Sequence, residues 1–319
     1  MTKPTTATET RGAASRRQAF GLMLGAGGWL PQALAAADGG APVRLALSES
    51  MLGGVNPNDA RAAMTVWTKR MFEDMNIVLD PKLFSTRQEI HDRARRGQLD
   101  AMVLNAVEYR PIADLLDASQ LVAPGGAAGM EQYLILAKRN GGIRQLSDLK
   151  GRRLNMLKAP KMCVADAWLS TLLEERHYGP AEQFFGSVVT DAKFSRVVLP
   201  VFFGQADACL TTKRGFDTMC ELNPQVARDL IAIASSPAMV LVFCIFRKNY
   251  ISVNREKLIK ALIKSVSTLL TTEAGRQLAT LFQFDELAIR DAGCLASVLG
   301  VLDAADRANG KPVAGSQKG

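Results

Sequence analysis

The segment Lys158-Ala159-Pro160-Lys161-Met162-Cys163 puts two ammonium groups, a thioether and a thiol into one loop between a short strand and an amphipathic helix. The first N–H groups of a helix have no intrahelical acceptor and carry a partial positive charge, so a strand-to-helix loop is a natural anion site. Lys158 or Lys161 can neutralise an oxyanion there. A thiol beside the lysines and near a helix start, Cys163, has its thiolate favoured. Cys209, at the exit of a separate strand, supplies a second sulfur, and two soft ligands entering one cleft suit arsenite or a soft metal. The alternative for both is packing, since cysteine is an ordinary small buried hydrophobe, and packing is the reading for Cys220, Cys244 and Cys294.

Further candidate contacts are Ser48 and Ser50, Thr86 and Arg87, Asn105 with Tyr109, and Tyr133 and Thr211 at the ends of two strands of the second half. Those of the first half follow a strand or begin a helix, which is where open α/β sheets hold ligands, and Tyr133 lies near a crossing between the lobes. Arg87 can grip an oxyanion with two parallel donors. The histidines, His91 and His177, fall in a charged helix and at the end of another, where they read as solvated or cap-adjacent. Neither sits at a strand exit beside a nucleophile, and no G-x-S-x-G, dinucleotide or P-loop pattern is present. No catalytic residue and no cofactor are assigned.

The elements that position these residues alternate between strands and helices. Strands are expected at Val43 to Leu47, Ile77 to Leu79, Ala101 to Leu104 and Leu121 to Ala123, with helices over Ala60 to Glu73 and Arg87 to Arg96. Met64, Trp67 and Met71 share one face of the former. Tyr133 to Ala137 and Arg153 to Met156 begin a second set, followed by a helix from about Val164 to Arg176. A helix containing Pro200 over Phe194 to Phe203, a strand through Leu210, and strands at Leu230 to Ala234 and Met239 to Phe246 continue it. Helices from Asn254 to about Leu270, Glu273 to Phe282 and Asp291 to Asp303 close the chain. The expected organisation is an export signal over 1–37, a first α/β lobe over 38–130, a second over 131–234, a return to the first lobe with C-terminal helices over 235–308, and a disordered tail over 309–319.

The export reading rests on zones in order: Lys3, Arg11, Arg16 and Arg17, then an uncharged run from Phe20 to Leu34, then alanines at 33, 35 and 37. Ser15-Arg16-Arg17-Gln18-Ala19-Phe20 resembles a twin-arginine signal. Removal of this segment lowers the formal charge from +8 to +5. The remaining basic residues are scattered among acids with little aromatic interleaving, which excludes a nucleic-acid surface. The odd total of 5 cysteines leaves at least one thiol free, and without a C-x-x-C structural zinc has little support.

Leu99-Asp100-Ala101-Met102-Val103-Leu104-Asn105-Ala106-Val107-Glu108-Tyr109, with Gly97 before it, resembles a stretch of the periplasmic substrate-binding proteins of the phosphonate, phosphite and phosphate uptake family. Ile143 to Leu154, containing Asp148-Leu149-Lys150-Gly151, is similar to that family's region before a second-lobe strand. Gly204-Gln205-Ala206-Asp207-Ala208 resembles its later Gly-x-x-Asp-Ala turn. The resemblance extends from about Val43 to Leu287. It implies a two-lobed α/β binding protein of type II with an interlobe cleft, expected to be monomeric and periplasmic. Its ligand is a small molecule, most simply an oxyanion, and its partner an ABC permease or a periplasmic sensor domain. Phosphonate binders carry a Ser/Thr/Gly-rich loop where this chain has Lys158 to Cys163. That departure keeps a thiol-dependent arsenite or soft-metal sensor open, alongside an envelope enzyme acting on a small polar substrate and an envelope structural protein.

Overall fold

The computed structural model describes residues 41–53, 55–72, 77–126, 129–250, 254–269 and 286–310. The export signal, the helix expected over Glu273 to Phe282, residues 311–319 of the tail and the side chains of Trp67 and Met71 lie outside that description. Two sheets organise the rest. The first runs in the order β11-β4-β10-β3-β1-β2, from β1 (Val43–Ser48), β2 (Leu79–Phe84), β3 (Ala101–Asn105), β4 (Leu116–Pro124), β10 (Val242–Arg247) and β11 (Leu287–Arg290). The second runs β7-β6-β8-β5-β9, from β5 (Tyr133–Lys138), β6 (Arg153–Leu157), β7 (Ser187–Asp191), β8 (Ala208–Thr212) and β9 (Leu230–Ser235). This is the two-lobed, mixed α/β architecture that the resemblance implied.

Strand β10 starts at Val242 rather than Met239, β7 and β11 add to the expected strands, and two further assignments shift. Residues 77 and 78 precede β2, which runs on to Phe84 through Pro81, and Pro81 is tolerated because β2 is an edge strand. The strand expected at Leu121 to Ala123 begins earlier, as β4 directly behind a 3-10 segment over Arg110–Leu115 that contains Pro111.

Parallel pairing of β1 with β2 and β3, and of β6 with β7 and β8, brings the C-terminal ends of these strands to one edge of each sheet. Tyr133 opens β5 at that same edge, because β5 runs antiparallel to β8 and Tyr133 pairs with Thr212. Two chain segments cross between the sheets side by side. They are tied by Glu131 N donating to Met239 O at 2.8 Å and Met239 N donating to Glu131 O at 2.9 Å.

The Gly-x-x-Asp phrases have a mechanical role. Asp100 accepts from the backbone N of Arg44 at 3.0 Å, from Arg44 Nε at 2.8 Å and from its Nη2 at 2.6 Å, while Asp100 N donates to Arg44 O at 2.9 Å. One carboxylate thereby fixes the start of β1 against the start of β3. Asp207 does the same in the second sheet, accepting from Arg153 N at 2.9 Å at the start of β6. Gly97 and Gly204, both at positive φ, turn the chain just ahead of each aspartate.

Helices cover both sheets: α1 (Pro57–Phe72) and α9 (Asn254–Leu269) on one face of the first, and α4 (Ala165–Glu174) and α6 (Phe194–Phe202) on opposite faces of the second. Helix α2 (Arg87–Arg95) and the short α3 (Ala106–Tyr109) pack near the cleft edge, and α10 (Ala296–Ala308) crosses to meet α4. Arg110 holds α10 through Asp303 and Asp306, each at 2.6 Å.

Burial opposes the ionised form of Asp100, but the Arg44 hydrogen bonds and nearby Arg247 outweigh it and hold the carboxyl below its usual range. A depressed folded pKa contributes stability that is present above the unfolded carboxylate value, about 3.9, and is lost as pH falls through the folded one. Asp100→Asn is therefore expected to cost about 2 kcal/mol at pH 7. The gap from wild type should narrow as pH falls below about 3.9 in denaturant melts.

Candidate functional site

Glu108 is the centre of the polar groups at the cleft edge. Its Oε1 accepts from Ser48 Oγ at 2.6 Å and Ser50 Oγ at 2.9 Å, and its Oε2 from Asn105 N at 3.1 Å. Asn105 completes a reciprocal helix cap by accepting from Glu108 N at 3.0 Å, and its Nδ2 donates to Ser50 Oγ at 3.3 Å. Ser48 ends β1 and caps the 3-10 turn Glu49–Met51, whereas Asn105 ends β3 and caps α3. Two adjacent parallel strands thus deliver two hydroxyls and one backbone N–H to a carboxylate of a residue that is only 4% exposed. Glu108 was not among the residues singled out from sequence; Asn105-x-x-Glu108 is the capping-box spacing that points to it.

His91 closes the back of this cluster. It is buried rather than solvated, and its Nε2 donates to Glu108 O at 2.8 Å. Burial lowers its pKa, so the ring is neutral. His177 is exposed at positive φ just beyond α4, in agreement with a cap-adjacent role.

The opposing side comes from the second sheet. Tyr133 is fully buried, its hydroxyl donates to Lys161 O at 2.8 Å, its N donates to Ser236 Oγ at 2.8 Å, and its ring packs on Trp168 of α4. Lys161 sits in the 3-10 turn Pro160–Met162, which meets the Glu49–Met51 turn of the first lobe. Its Nζ lies 3.7 Å from Glu131, whose carboxyl is pushed above its usual range by burial despite that ammonium. The cleft edge therefore holds two buried carboxylates and one partly buried ammonium.

Ser48, Ser50, Asn105, Tyr133 and Lys161 are thus gathered at one place. The other candidates lie elsewhere. Tyr109 is 4% exposed and packs edge-on against Phe243 at 5.2 Å. Thr86 caps α2 by accepting from Glu89 N, and Arg87 beside it is exposed. Lys158 is exposed at the end of β6. Thr211 is fully buried in β8 opposite Leu134, and its Oγ1 has no partner among the described residues.

The two cysteines do not share a site. Cys209 is fully buried in β8, paired in register with Asn155 on the face that α6 covers. Cys163 follows the Pro160–Met162 turn and lies near Tyr133, whose ring packs on the other face. The expected thiolate at Cys163 is also reversed. Burial pushes its thiol up to about 12, with nearby Glu108 adding to the effect, so desolvation outweighs the lysines. No group of three or more His, Cys, Asp or Glu among the described residues could hold a metal ion.

A family model described as the periplasmic substrate-binding protein of phosphonate ABC transporters matches residues 52–291. This chain belongs to that family. Members of this family bind small molecules for an ABC permease in the periplasm, and among the described residues no helix is long and apolar enough to cross a membrane. The fold also matches solved structures. A Xanthomonas citri protein bound to ATP is 13% identical, with a TM-score of 0.58 over 85% of this chain and 99% of that one. A binding component of a phosphonate ABC transporter from Pseudomonas aeruginosa is 13% identical, with a TM-score of 0.52 over 84% and 88%. A Prochlorococcus marinus protein in complex with methylphosphonate is 12% identical, with a TM-score of 0.52 over 85% and 98%. No curated protein sequence matches this substrate-binding protein.

The Cys163 environment sets its reactivity. Alkylation of native reduced protein, followed by peptide mapping, should be very slow at Cys163 at pH 7 and rise about tenfold per pH unit up to pH 10. A rate already level near pH 7 would show a stabilised thiolate instead.

Proposed function

We propose that this binding protein, acting as a monomer, carries a solute whose acidic headgroup retains a proton, held between Ser48, Ser50, Asn105 and Glu108 of one lobe and Lys161 of the other. The observation that carries this reading is the buried Glu108 carboxylate at the meeting point of the lobes. A fully ionised dianion placed there would face Glu108 and Glu131 at close range in a medium that screens poorly. A singly protonated phosphonate-type headgroup answers both sides. Its hydroxyl donates to a carboxylate, and its remaining charge is met by Lys161 and by donors such as Asn105 Nδ2.

Closure follows from the same contacts. The first-lobe donors and Lys161 belong to different sheets, so a headgroup touching both binds the closed arrangement more tightly than the open one and shifts the population towards it. The closed surface is what the ABC permease then reads. Binding without turnover fits a site whose nearby imidazole, His91, is buried behind the cluster with its Nε2 engaged by the backbone carbonyl of Glu108.

Thermal unfolding of the mature protein against methylphosphonate, phosphite, phosphate, sulfate and arsenite tests this. Methylphosphonate at a hundredfold excess over Kd should raise Tm by about 5 °C, and more strongly at pH 6 than at pH 8. Sulfate, which carries no proton in that range, should give no shift. Glu108→Gln should abolish the pH preference. Equal stabilisation by sulfate and methylphosphonate, unchanged in Glu108→Gln, would remove the proton-matched headgroup.

A further inference from the structure

One face of the first sheet is unusual. Leu45 and Leu47 of β1, Ala101 and Val103 of β3 and Val122 of β4 all point to the side covered by α1 and α9. Met64, Leu258 and Leu262 descend on them from those helices, yet the layers border a partly open cavity of about 460 Å³ that reaches out to the loops between the lobes. Protein interiors are packed to crystal density, and voids beyond the size of a water molecule are few. An empty space of this size would forfeit contacts along its whole lining. It falls within the 300–1,000 Å³ typical of small-molecule sites.

The cavity opens towards the cleft. Met51, Leu52 and Gly53 form one lip, and Ala159, Pro160 and Lys161 form the other. Its charged lining residues among those described are Glu131 and Lys161, both on this cleftward side. The lips nearly touch, because a Cβ at Gly53 would come within 3.3 Å of Pro160 Cγ, and Gly53 already has φ +58. Glu131 and Lys161 are therefore shared by the cleft edge and the mouth of the chamber, with hydrocarbon lining the space behind them.

We infer that this chamber holds the hydrocarbon part of the solute, so that the ligand is an amphiphile with an acidic headgroup in the cleft and an alkyl chain or comparable apolar body between the first sheet and α1 and α9. The inference rests on the proposed headgroup reading for the position of the polar end, and on the cavity alone for the apolar end. An apolar chamber stays dry and takes apolar guests, because water entering it finds few hydrogen-bond partners. Each methylene moved from water into the chamber strengthens binding by about fourfold. Cys244 of β10 lines the same wall, and burial pushes its thiol up to about 12, so it contributes surface rather than charge.

Calorimetric titration with 1-alkylphosphonates from methyl to decyl, and with the matching 1-alkanols, tests the chamber. Wild-type affinity should rise by about fourfold per methylene in both series until the chamber is filled. Ala101→Leu, which fills the floor without touching the headgroup cluster, should remove that rise for the longer chains, leave methylphosphonate binding unchanged, and keep or raise Tm. Cys244→Met, a milder filling, should shorten the chain length at which affinity levels off. Affinity that is flat with chain length, or a rise that persists in both variants, overturns the inference. A large fall in Tm of both variants also overturns it, because it would mean the layer was already full. If methylphosphonate binds but longer chains add nothing, the chamber fails while the headgroup reading stands. If alkanols and alkylphosphonates show the same affinities and the same chain-length rise, the headgroup reading fails while the chamber stands.

Discussion

A buried carboxylate must be satisfied, and in this protein the need to satisfy Glu108 decides where the first-lobe loops go. Ser48 and Ser50 leave β1, Asn105 leaves β3, and all three turn towards the same carboxyl group. Removing any one donor would leave a charge partly unpaired in a place that water reaches poorly, which costs more than the bond itself contributes. The loops are thus held by the group they surround. His91 extends the constraint to α2, since its neutral ring donates to the carbonyl of Glu108 itself.

The strands that bring these loops together are fixed at their other ends by a second pair of carboxylates. Asp100 and Asp207 each accept from the first backbone N–H groups of a neighbouring strand, so each sheet is pinned at the edge away from the cleft. Pinning the far edge leaves the near edge to ligand contacts. The join between the lobes is made of backbone hydrogen bonds between Glu131 and Met239, and of α10 bound by Arg110 on one side and packed on α4 on the other. Such a join can bend while keeping the lobes in register.

The alternation of strands and helices was legible because both sheets contain parallel strands with continuous apolar runs. The resemblance was legible because Gly97, Asp100, Gly204 and Asp207 do mechanical work that few other residues can do. The site was only partly legible. Ser48, Ser50 and Asn105 stand out as polar residues at strand exits, but Glu108 lies within a helical turn, where an acidic residue ordinarily faces solvent. Its burial depends on β1 lying beside β3, a pairing between segments 56 residues apart at Arg44 and Asp100. Cys163 shows the reverse failure. Its neighbours in sequence are cationic, yet its neighbours in space are Tyr133 and Glu108, and burial outweighs the lysines.

The two sheets differ in how much they need a ligand. In the second, Trp168 and Val197 come from helices on opposite faces and join the strands in one continuous apolar core. In the first, the face beneath α1 and α9 belongs to a separate, smaller cluster and holds the large cavity. A lobe with unfilled apolar volume gains more from a guest than a lobe that is already full, because the guest restores contacts its lining otherwise lacks. Since the mouth of that cavity is built from loops of both lobes, filling it and bringing the lobes together are coupled: a guest that reaches from the cleft into the first lobe favours the arrangement in which Gly53 meets Pro160.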